Sequence, residues 1–293
     1  MIKNIDENDP VLPAGKYNFW RYFVITILII GLTLATQFLL ILFASLFEGN
    51  FDVMNYRPIT LLWVTMLPFA GMLIFLIFGI RVLHHQTIRS IFTQKVFFNK
   101  NLLFKSFLLW FFLSAAADII LAIIQPDNYS LTFVAKSFFP YMILAFGLIL
   151  MQITAEEILF RHYFLHGFFR LFRNWWVAIV AQALLFGILH GANPEVSMYG
   201  MLTTMPFYIG IGLILGWLTL KSKGLEIALG LHLANNIYAT AMVTFEGSAI
   251  PSPAIFTIKQ YQPEIGLVVF FITAIIFGLV ITPEIKKRSK IEV

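Results

Sequence analysis

Two adjacent glutamates, Glu156 and Glu157, follow closely on the apolar run Met142 to Met151. Charged side chains at bilayer depth are costly; they face a protein interior or a water-filled cavity and mark a functional site by default. Arg161 stands four residues after Glu157, so on a helix the two share a face and can pair. Glu156 is turned about 100° away and is left free for other work. One carboxylate held and one free is the asymmetry that general-base chemistry needs. His190 ends a second apolar run, Phe186-Gly187-Ile188-Leu189-His190, and a third contains His232-Leu233-Ala234-Asn235-Asn236. An imidazole facing a carboxylate could position and deprotonate a water. His232 and Asn236, one turn apart on one face, are donors suited to a developing oxyanion.

The elements that must carry these residues are membrane helices. The chain is 59% hydrophobic and only 12% charged, with a mean hydropathy of +0.85. Soluble domains hold about 25% charged residues, so the composition is that of an integral membrane protein. Eight apolar segments, near 22–47, 59–80, 102–124, 137–160, 175–190, 199–220, 225–245 and 265–282, are long enough to span or nearly so. The expected fold is an all-α polytopic transmembrane helix bundle of about eight spanning helices. Seventeen of the twenty Lys and Arg residues fall at one end of these segments, leaving Arg57, Lys136 and Lys259 at the other. The positive-inside rule then places both termini in the cytoplasm, and the cell membrane is the expected location.

Depth supports convergence. The fourth and fifth segments form a hairpin turning near Arg173, which Glu156 precedes by as many residues as His190 follows it. At 1.5 Å per residue both lie roughly 25 Å from the turn. His232 is roughly 13 Å inward from Lys223, and Arg161 marks the same boundary, with the glutamates about one turn deeper. Glu156 and His190 are expected as close partners. The polar stretch Gly191-Ala192-Asn193-Pro194-Glu195 reads as a cavity-lining or re-entrant loop.

Other features are read more plainly. There is no cysteine, which excludes disulfides, thiolate metal sites and a cysteine nucleophile. Met1 to Lys16 lacks the pattern of a signal peptide. Residues 81–101 read as a basic cytoplasmic loop along the headgroups, with His84-His85 at its surface. His162 and His166 have metal-ligand spacing but follow Arg161 at the interface, so a solvated or headgroup-facing role is expected. Asp118 is an intramembrane acid without an evident basic partner, read as hydrogen-bonding a neighbouring helix. Gly187/Gly191 and Gly212/Gly216 are small-residue pairs that allow close helix packing. No glycine loop beside a lysine cradles a phosphate, so neither nucleotide nor nucleic acid is expected as a partner.

Taken in order, Glu156-Glu157 with Arg161, Phe186 with His190, and His232 with Asn236 resemble the three motifs of the CPBP family, the CAAX prenyl endopeptidases and bacteriocin-processing or immunity (Abi) proteins. The resemblance covers roughly residues 134–245, with 1–133 as an N-terminal part of three helices and 246–293 as an external loop, last helix and basic tail. It implies an all-helical intramembrane endopeptidase acting on a membrane-associated peptide or protein, lipidated substrates among them. By that resemblance Glu156 and His190 would activate the water, His232 with Asn236 would stabilise the tetrahedral intermediate, and Glu157 with Arg161 would support the site. Glu156, His190 and His232 could also ligate zinc with one position open. The helical His-Glu-x-x-His arrangement is absent, and a metal-free Glu/His-activated water is preferred. Two other readings remain: a non-catalytic adaptor or immunity protein keeping the fold, and a proton-coupled transporter using Glu156 and Glu157. The latter lacks the internal repeat of a transporter.

Overall fold

The computed structural model describes residues 12–289. In chain order the helices are α1 (Phe19–Glu48), α2 (Pro58–Leu83), the short α3 (Ile88–Phe92), α4 (Lys100–Ile124) and α5 (Ala135–Glu157). A π-helical segment, Ile158–Phe164, carries α5 without a break into α6 (Leu165–Phe172). After these come α7 (Trp175–His190), α8 (Pro194–Tyr199), α9 (Met201–Ser222), α10 (Glu226–Ala241) and α11 (Pro263–Ser289). Six of these helical stretches are long and apolar enough to cross a membrane: α1, α2, α4, the continuous 38-residue rod Ala135–Phe172, α9 and α11. The protein is an integral, multi-pass α-helical membrane protein.

The fifth and seventh expected spans are α7 and α10, each of 16 residues. At 1.5 Å per residue they reach only about 24 Å, short of the ~30 Å hydrocarbon core. Protein, rather than lipid, surrounds α10: it packs against α4, α5 and α9. Gly230 permits this, because a Cβ there would stand 2.3 Å from the Leu103 carbonyl oxygen. Gly212 does the same for α7 and α9, where a Cβ would meet the Ala183 Cα at 2.9 Å. α2 pairs with α1 and packs on α5, and α11 lies against α4 and α9.

Short polar devices set where the helices begin and end. Asn99 caps α4 by accepting from the Leu102 N–H, and Asn174 caps α7 by accepting from Trp176 and Val177. Arg173 and Lys223 close α6 and α9 in the left-handed conformation. The α6–α7 turn is therefore the hairpin read from the sequence, and it packs as one.

Several expectations need correction. Residues 81–101 are not a plain loop: they hold α3 and are tied to the bundle. Their backbone pairs with the α9–α10 turn, through Leu225 N–H to Phe92 O (2.8 Å) and Gln94 N–H to Lys223 O (3.0 Å). The Asn99 N–H also donates to Glu226 Oε1 at 3.0 Å. His84 is buried rather than at the surface, its Nδ1 donating to the Lys16 carbonyl at 2.6 Å. His162 and His166 are buried rather than solvated, because α6 continues the α5 rod past Arg161 instead of leaving the bundle. Arg161 does not mark an interface either: it is fully buried. A small sheet was not anticipated. β1 (Tyr129–Leu131), β2 (Val243–Phe245) and β3 (Phe256–Ile258) form it in the order β1-β3-β2, with Tyr129 opposite Ile258 antiparallel and Val243 beside Phe256 parallel. Three-residue strands leave too short an alternation to read in sequence. The sheet ties the loop after α10 to the α4–α5 connection.

Candidate active site

Glu156 and Glu157 occupy the last turn of α5, where the helix widens into the π segment, a distortion that often accompanies functional sites. Both are buried. The Arg161 guanidinium sits 3.2 Å from Glu157 Oε1 and 4.4 Å from the centre of the Phe186 ring. A buried guanidinium without a carboxylate would be severely destabilising, so Glu157 serves the fold as well as the site. Glu157 Oε1 in turn lies 2.6 Å from His232 Nδ1 on α10. An ionised carboxylate only accepts, so His232 Nδ1 donates. Its Nε2 then carries a lone pair in the neutral ring and a proton in the imidazolium, and it points at Glu156 Oε2 from 3.6 Å.

Glu156 is held from its other side. Gln152, one turn earlier on α5, donates its amide to Glu156 Oε1 at 3.2 Å and accepts from Asn236 at 3.4 Å. Asn235 donates to Asn236 at 3.3 Å, and Trp110 Nε1 of α4 donates to Asn235 at 3.4 Å. The indole N–H can only donate and the carboxylate only accept, so every amide in this track points its donor toward Glu156. Glu156 Oε2 is left buried without a hydrogen-bond partner. Chemistry at Glu156 therefore falls to one oxygen.

His190 ends α7 with Nδ1 2.7 Å from the Phe186 carbonyl. A carbonyl only accepts, so Nδ1 bears the proton and the neutral ring presents Nε2 as an acceptor. Its ring lies between Phe186, at 4.2 Å, and Tyr208 of α9, stacked at 4.6 Å. Phe186 is also 6.2 Å from His232, so the same ring packs beside both imidazoles. His190 is electrostatically coupled to Glu156, His232 and Arg161, while the direct neighbours of Glu156 are Gln152 and His232.

The structure thus joins Glu156, Glu157, Arg161, His232 and Asn236 in one buried polar track, with His190 beside it, packed on Phe186. Among the described residues no three His, Cys, Asp or Glu side chains converge to hold a metal ion. Sequence reading passed over Gln152 and Trp110. The signal for Gln152 was available: an amide one turn before a catalytic candidate, inside a spanning helix, needs a partner. Trp110 was hidden among the aromatics of α4.

Comparison with known proteins bears on this same region. Residues 137–238, which hold all of these motifs, match the family described as type II CAAX prenyl endopeptidase Rce1-like. The motif-bearing segment is Rce1-like. The CPBP resemblance drawn from the three motifs is supported. A protein of Bacillus subtilis (strain 168) described as uncharacterized protein YyaK is 28% identical over 259 residues, covering 85% of this chain and 86% of its own length. The similarity to YyaK therefore extends well beyond the Rce1-like segment. No solved structure matches.

Proposed function

We propose that the protein is an intramembrane endopeptidase that hydrolyses a peptide bond of a membrane-associated peptide or protein with a water activated by Glu156. The observation that carries the reading is the single bare oxygen of a buried carboxylate, Glu156 Oε2, facing His232 Nε2 inside the Rce1-like segment. Glu156 Oε2 takes a proton from water as the water oxygen attacks the scissile carbonyl carbon. His190 Nε2 accepts the water's second hydrogen and fixes its orientation. When protonated at Nε2, His232 donates from that nitrogen to the developing oxyanion. Asn236 is placed to assist. Glu156 then returns its proton to the amide nitrogen, and the C–N bond breaks. Substrates with lipidated C-terminal residues belong to the candidate set, since the matching family is described as CAAX prenyl endopeptidases.

The test is cleavage of a mixed peptide library, with and without C-terminal lipid, by purified protein in detergent, read by mass spectrometry. Wild type should yield defined products, and Glu156→Gln should lose about 10²–10⁴-fold in rate, the usual worth of a general base. A chelator arm should leave the rate unchanged. Equal product from wild type and Glu156→Gln would refute the mechanism.

A further inference from the structure

A second buried carboxylate lies on the other side of His190. Glu195, in α8, accepts the Tyr208 hydroxyl on Oε1, and that hydroxyl accepts from Asn193 Nδ2 at 2.8 Å. Tyr208 is the ring stacked on His190. Glu195 is only 9% exposed, and its Oε2 is buried with no hydrogen-bond partner. Among the described residues it pairs with no Lys, Arg or His. Neither protonation state satisfies that oxygen: ionised it lacks a donor, and protonated it lacks an acceptor. Glu157 differs in this respect, since Arg161 and His232 both face it.

The surroundings suit one kind of ligand. Tyr199 and Tyr261 stand close enough to Glu195 to feel its charge, and their rings are 5.3 Å apart. With Tyr208, whose hydroxyl donates to Oε1, they bring aromatic side chains near a carboxylate, the combination that recognises organic cations through a charge-assisted hydrogen bond and aromatic contact. We infer that Glu195, with Tyr199, Tyr208 and Tyr261 near it, is a subsite for a protonated amine or guanidinium side chain of the peptide substrate. The inference rests on the protease reading for what the peptide is doing there. Only the Tyr208 ring separates Glu195 from His190, so the cation belongs within about two extended residues, at ~3.4 Å each, of the scissile bond.

Binding separates this inference from the catalytic one. Random octapeptides in which Lys and Arg compete with norleucine and citrulline would be equilibrated with immobilised Glu156→Gln protein, and the retained fraction sequenced by mass spectrometry. The same pool would be run on Glu156→Gln/Glu195→Gln, an isosteric change that keeps the acceptor for Tyr208, with a thermal melt to confirm an intact fold. The expected result is enrichment of the cationic residues by about tenfold at one position, lost in the double variant. No enrichment, or enrichment that survives Glu195→Gln, overturns the subsite. Glu195-dependent enrichment, with no cleavage by the wild-type protein, would retain the subsite and refute the protease. Cleavage by wild type without cationic preference would do the reverse.

Discussion

Helices α1 and α10 show two ways in which a chain meets its surroundings. α1 is 30 residues long with a mean hydropathy of 2.5, and only 11% of its apolar window is buried inside the protein. Lipid satisfies most of it. α10 is 16 residues long, and thirteen of them are buried. It carries Glu226, His232, Asn235, Asn236 and Thr240, which lipid could not accommodate, and it borrows partners from α4, α5 and the segment before α4. Glu226 accepts from the Asn99 N–H, and Thr240 donates to the Asn236 carbonyl at 2.6 Å. Long and apolar marks where this chain faces the bilayer. Short, polar and shielded marks where the proposed chemistry falls.

The largest expected effect breaks the shielded side at its charge. Glu157→Gln leaves a buried guanidinium without its carboxylate and gives His232 a neutral amide oxygen in place of a charged acceptor, so stability should fall by about 3–5 kcal/mol and activity by about 10³-fold. Glu157→Gln with Arg161→Met removes both charges, and should recover most of the thermal stability in detergent while leaving the peptidase inactive. Recovery of both would mean that Glu157 serves the fold alone. Packing separates the two helices next. Gly230→Ala drives a Cβ into the α4 backbone and should cost about 1–3 kcal/mol, whereas a methyl added at Gly31 of α1 would meet nothing within 4 Å. Gly31→Ala should be neutral or slightly stabilising, by up to about 1 kcal/mol. Equal melting shifts for the two variants would erase the distinction between the helices.

What could be read from the sequence followed the same division. Spanning helices and the α6–α7 hairpin were legible because hydropathy and charge act locally along the chain. Glu157 with Arg161 was legible because the pair is local to one helix. The partners that cross between helices were not: the Gln152–Asn236–Asn235–Trp110 track joins α5, α10 and α4, and no periodicity relates positions so far apart. The folded-in 81–101 segment was misjudged for a related reason. Its basic composition suggests headgroups, but its backbone N–H and C=O groups find partners in the α9–α10 turn. His84, His162 and His166 look like surface residues until α6 is seen to prolong the α5 rod.

A smaller effect should sharpen the role of that track. Gln152→Leu keeps the side-chain volume but removes the donor to Glu156 Oε1, freeing the carboxylate to rotate. The expected loss is about tenfold in kcat with KM unchanged, and none in a Glu156→Gln background. A rise in KM at constant kcat would instead place Gln152 against the substrate.

The smallest effect lies outside the spanning segments. His84, just beyond α2, is buried, and burial chiefly holds its pKa down at about 4, against an ordinary 6.5. Its folded form is neutral: Nδ1 donates to Lys16 O, and the buried Nε2 has no hydrogen-bond partner. Unfolded chains take up a proton on this ring as pH drops below 6.5, whereas the folded protein does not until about pH 4. Stability from His84 is therefore full above pH 6.5, declines through that window and is exhausted below it. Melting temperature in detergent should fall between pH 6.5 and 4 in wild type. His84→Asn keeps a donor for the Lys16 carbonyl without a titrating ring, so its melting curve should be flatter over the same range. Parallel curves for the two proteins would show that the ring at position 84 is already charged in the folded state, and that this end of the bundle admits water as the buried track around Glu157 does not.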